Sequence, residues 1–91
     1  MIEKSDILHK TTYVWKEEHG YVTVIKNDGG KVILNEENAL VWKYINDDDD
    51  IESICNKILS VSEISVERLQ AIIENFIKIG IVSNEDLFWG E

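Results

Sequence analysis

The chain has 91 residues, 44% of them hydrophobic, with a formal net charge of −9 and one cysteine, Cys55. A domain of this size supports one modest core and a net stability of roughly 5–13 kcal/mol, a poor basis for a site made of several buried, strained polar groups. A lone cysteine excludes a disulfide framework, no stretch approaches the roughly 20 apolar residues of a membrane span, and Met1–Lys4 lacks a signal-peptide pattern, so a cytoplasmic protein with no membrane contact is expected.

Residues 1–10 show no period and read as a loosely held N-terminal arm. Thr11–Glu17 and Tyr21–Lys26 are rich in β-branched and aromatic types, and the second alternates Tyr21, Thr23 and Ile25 against Val22 and Val24. They read as two strands of a hairpin closed by Glu18-His19-Gly20. Asn27-Asp28-Gly29-Gly30 is a second turn signal, and Lys31–Leu34 follows as a third antiparallel strand. The first and third strands are then the sheet edges, with unpaired backbone groups.

Asn35 stops the strand and is a good N-cap, followed by Glu36 and Glu37 at the positive end of a helix dipole. In that helix Ala39, Leu40, Val41, Tyr44 and Ile45 form the apolar face, with Trp42 at its margin. Asn46–Asp50 reads as a solvated loop whose last residue caps a second helix, Ile51–Ser60. It lacks the alternating ligands, Gly and distal Glu of a calcium loop. Ile51, Ile54, Cys55, Ile58 and Leu59 give the second helix one apolar face, with Cys55 as a small buried side chain. Ser65 caps a third helix, Val66–Ile79, ended by Gly80. Its apolar positions spread over roughly 160°, wide for one neighbour, so the edge formed by Val66, Ile73 and Ile77 is expected to face the sheet or a ligand. The tail carries Leu87, Phe88 and Trp89. Three antiparallel strands followed by three helices make an α+β domain of winged helix-turn-helix type.

Catalytic patterns are absent. His9 and His19 have no partners at metal-ligand spacing, Gly29-Gly30 leads into a strand instead of a helix, and Ser53 lies in a chain too strand-rich for a four-helix carrier protein. No catalytic residue, metal or cofactor is expected. Winged-helix domains commonly bind DNA, but Arg68 and Lys78 on the third helix are balanced by Glu67 and Glu74. All of the net charge lies in residues 35–91, where four basic residues face thirteen acidic ones, while residues 1–34 balance five against five. Phosphate backbones require basic surface, so nucleic acid is not the expected partner, and a winged-helix transcriptional regulator is the alternative reading.

The order of Leu34-Asn35 after an apolar strand, an aromatic at Trp42, an acidic capped loop, Ile51-Glu52-Ser53-Ile54 and Phe76-Ile77-Lys78-Ile79-Gly80-Ile81-Val82 resembles PqqD and the related precursor-peptide recognition elements. The likeness spans residues 11–82, leaving 83–91 as a tail, and departs in the loop between the first two helices, where Asn46 and the Asp run replace a Gly. The resemblance implies a non-catalytic adaptor for ribosomally made, post-translationally modified peptides. Such an adaptor holds the leader of a precursor peptide as an added strand and presents it to a separate modifying enzyme, such as a radical SAM enzyme or a cyclase.

An exposed edge strand without Pro is independently suited to β-augmentation. The expected peptide contacts are Lys31, Val32, Ile33 and Leu34 on the strand, with Val66, Leu69, Ile73 and Ile77 forming an apolar groove. The acidic surface points to a basic leader or a basic docking face on the enzyme, and the sheet edges offer a route to a homodimer.

Overall fold

In the computed structural model, residues 3–84 are described. They form an α+β domain in the order β1 (His9–Lys10), β2 (Trp15–Glu18), β3 (Tyr21–Ile25), β4 (Lys31–Leu34), α1 (Glu36–Tyr44), α2 (Ile51–Leu59), α3 (Val66–Ile79) and β5 (Val82–Ser83). The antiparallel sheet has the strand order β2-β3-β4, and β1 pairs separately with β5.

Turn chemistry sets the sheet. His19 and Gly20 both have positive φ (55° and 84°), as a two-residue type I′ hairpin requires, and they join β2 to β3. The second turn accepts Gly29 N–H on Lys26 O and returns Lys26 N–H to Gly30 O, with Gly29 at φ 91°. Val22 and Val24 on β3 are fully buried and pair with Leu34 and Val32 of β4, so this row faces the helices. Tyr21, Thr23, Ile25, Lys16, Lys31 and Ile33 fall on the opposite, outer face by alternation.

Each helix begins as its sequence dictates. Asn35, Asp50 and Ser65 side chains accept the N–H of Asn38, Ser53 and Arg68, and Gly80 closes α3 in the left-handed region. α1 packs on β3, β4, α2 and α3. With neighbours on several sides it buries Trp42 completely, correcting the marginal position expected from its periodicity. Cys55 is buried on α2, and burial pushes its thiol pKa up, away from nucleophilic use.

Residues 4–10 are tied to the domain, correcting the loose arm expected there. Leu8 is fully buried, β1 is paired, and the carbonyls of Lys4 and Asp6 accept the N–H groups of Glu52 and Ile51, two of the donors that α2 cannot satisfy internally. Lys10 is also buried. Its ammonium lies 5.0 Å from the Trp15 ring centroid and 4.7 Å from that of Trp42. Trp15, Trp42 and Phe76 meet edge to face at 6.1 and 6.2 Å, linking β2 through α1 to α3. Asp47, at φ 69°, accepts Lys10 N–H and the Tyr13 hydroxyl, tying the segment to the acidic loop.

Candidate functional site

Along an antiparallel ladder, residues alternate between those bonded to one neighbour and those bonded to the other. The Lys26–Gly30 pair exchanges a hydrogen bond, so Val32 and Leu34 bond to Val24 and Val22. The N–H and C=O groups of Lys31 and Ile33 therefore point away from the sheet. On the other side, Ile25 N–H donates to Val14 O, so Lys16 and Glu18 bond to β3 while Trp15 and Glu17 present their backbone groups outward. The two edges offer the same number of free groups. Only their side chains distinguish them.

The β2 edge is charged and tied down. Lys16 lies 3.5 Å from Glu18, and Glu17 bridges to Lys43 of α1 at 2.7 Å. The β4 edge carries one charge, Lys31, and exposes Ile33 at 66%. Lys31 forms no ion pair among the described residues, whereas Lys16, Lys26, Lys43, Lys57 and Arg68 do. β4 is thus the edge with few devices against pairing with another strand.

α3 packs on α1 and β5. Near its start Arg68 bonds Glu37, just beyond the Leu34 end of the strand, through Nε at 2.8 Å and a terminal guanidinium nitrogen at 2.7 Å. At its end, a Cβ on Gly80 would lie 3.9 Å from Lys26 Cε, at the Lys31 end. Between α1 and α3, Asn38, Arg68, Ala71, Ile72 and Asn75 line a cleft of about 160 Å³. The Asn38 side-chain oxygen is buried and has no hydrogen-bond partner among the described residues.

This placement corrects the expected groove. Leu69 and Ile73 are fully buried core side chains, and Val66, 44% exposed, lines a separate cleft against α2 with Ile51, Cys55, Leu59 and Lys4. Ile77 is partly buried against the core. At 100° per residue, Arg68, Ile72, Asn75 and Ile79 share one flank of α3, of which the first three line the cleft against α1, and Val66, Ile73 and Ile77 lie on the other. On the strand, Lys31 and Ile33 are the exposed members, Val32 is half-buried and Leu34 is in the core. The pairing of Arg68 with Glu37 and the orphaned oxygen of Asn38 were missed. An Asn in the first turn of a helix is a weak signal, and the ion pair spans 31 residues.

Among the described residues no three His, Cys, Asp or Glu side chains converge as a metal site would require, and no helix is long and apolar enough to cross a membrane. Leu87, Phe88 and Trp89 lie outside the described residues. No family model, curated protein or solved structure matches the chain.

Proposed function

We propose that the protein is a non-catalytic peptide-binding adaptor of winged helix-turn-helix type, similar to PqqD, which takes the leader of a ribosomal precursor peptide onto β4 as an added strand and hands the peptide to a separate modifying enzyme. The observation that carries this reading is the asymmetry of the sheet, with β2 charged and anchored and β4 carrying Lys31 as its one charge and exposing Ile33. Lys31 and Ile33 together supply two donors and two acceptors. At about 0.5–1.5 kcal/mol net each, such bonds contribute roughly 2–6 kcal/mol. Micromolar binding requires about −8 kcal/mol, so one or two buried apolar anchors at roughly 1.5–3 kcal/mol each complete the interaction. The exposed Ile33 is an apolar side chain of β4 available for such a contact.

The same geometry argues against the regulator. Arg68 is engaged by Glu37, which leaves Lys78 as the one basic residue of α3 not held in an ion pair among the described residues. A duplex needs several phosphate contacts. The test is an amide NMR titration with a leader peptide encoded beside the gene, and with a short DNA duplex. The adaptor reading predicts shifts at Lys31–Leu34 and along the Arg68–Asn75 flank with peptide alone. Shifts with DNA and silence with peptide would overturn it in favour of the regulator.

A further inference from the structure

Resting on the strand-addition reading, we infer the side-chain chemistry of the bound strand: an acidic residue beside Lys31 and, two positions away on the same face, an apolar residue beside Ile33. The net charge of −9 suggests the opposite, a basic peptide, but the contact is decided locally.

On β4 it is Lys31 and Ile33 whose backbone groups point outward, so an antiparallel added strand places residues directly across from these two. Cross-strand partners share a face, and both side chains lie on the outer face of the sheet, away from the helices. That face differs in charge from the rest of the chain. By alternation it carries Lys16 and Lys31 against Glu18 alone, around Thr23, Ile25 and Tyr21. A trough of about 370 Å³ crosses it, lined by Val14, Trp15, Lys16, Thr23, Ile25 and Lys31, with Val14 63% exposed.

Lys16 already has Glu18 within 3.5 Å, and the turn carboxylate of Asp28 faces Lys26 at 3.8 Å. Lys31 is therefore the cation available at the edge. A carboxylate across from it gains an opposite-charge pair, and an apolar side chain beside Ile33 extends the apolar surface already present on that face. A lysine or arginine across from Lys31 would place like charges at cross-strand distance, which is unfavourable. The attraction of the acidic helical half for a basic peptide acts across solvent and is screened over about 8 Å at physiological ionic strength.

The test selects a random twelve-residue peptide library, displayed on phage, against the full chain, and maps each winner by amide shifts. The expected winners perturb Lys31–Leu34 and carry Asp or Glu two positions from an apolar residue. Lys31→Glu, an exposed substitution that leaves the core untouched, should weaken an acidic winner roughly 2- to 10-fold and turn a repeated selection toward Lys and Arg at that position. Winners that map to β4 but carry basic or neutral residues there, or that ignore Lys31→Glu, would overturn this inference and leave strand addition standing. Winners that map elsewhere, or no winners, would overturn both.

Discussion

The two edges of the sheet are built alike in backbone and unlike in side chains. β2 presents Trp15-Lys16-Glu17-Glu18 and β4 presents Lys31-Val32-Ile33-Leu34. From below, β2 is held by Trp15 against Trp42 and by Lys10 over both rings, and Glu17 is held by Lys43. β4 has its inner row in the core and its outer row in water. A small sheet must protect its edges from indiscriminate pairing, and here the protection is concentrated on one of them. The unprotected edge is the one on which strand addition is proposed.

The largest expected effect comes from breaking the anchor of β2. Lys10→Glu puts a carboxylate against two ring faces and beside Asp47, and should cost at least about 3 kcal/mol in urea unfolding. Lys10→Met keeps the stem and removes the buried charge, so a change within about 1 kcal/mol is expected. Burial pulls the Lys10 pKa below its ordinary 10.5, with Asp47 opposing. A lysine whose folded pKa is lowered binds fewer protons folded than unfolded between the two values. Stability from this group therefore rises as pH climbs from the folded pKa toward 10.5, a slope that Lys10→Met should abolish.

A proline on each edge tests the comparison itself. Ile33→Pro removes an outward N–H without taking a bond from the β3–β4 ladder, and should weaken peptide binding about tenfold or more while the fold persists. Glu17→Pro is the matching change on β2, and should leave peptide affinity unchanged. Equal losses would erase the distinction between the edges.

Removing the protection is a milder change. Lys16→Val with Glu18→Val should make β2 adhesive, read as concentration-dependent association in sedimentation, while peptide still binds β4. A strictly monomeric double variant would mean that these charges do not guard the edge. Smallest of all, Lys43→Met releases Glu17 from a partly exposed pair, with an expected stability change below about 1 kcal/mol and no change in binding.

Much of this architecture is legible in the sequence because it is set locally. Asn35, Asp50 and Ser65 announce the helix starts, Gly80 a helix end, and β4 has the bounds its composition suggests. What was illegible depends on distant partners. β1 is two residues long and pairs with β5, more than 70 positions away, so no period marks it. Lys10 reads as a surface residue until Trp15 and Trp42 are brought over it. Trp42 looks marginal on a helix assumed to have one buried face, yet α1 is enclosed by sheet and helices. For α3 the width of the apolar stripe was apparent, but not which neighbour lies on which side. β4 is thus legible as a sheet edge, whereas the burial of Leu69 and Ile73 and the place of Val66 against α2 are not.

The central claim, that β4 accepts a strand, is tested most directly by backbone amide hydrogen exchange with and without a bound peptide. The account predicts slowed exchange at Lys31 and Ile33, whose N–H groups point outward, with Trp15 and Glu17 unchanged. Protection at Trp15 and Glu17, or none at Lys31 and Ile33 under saturating peptide, would contradict it.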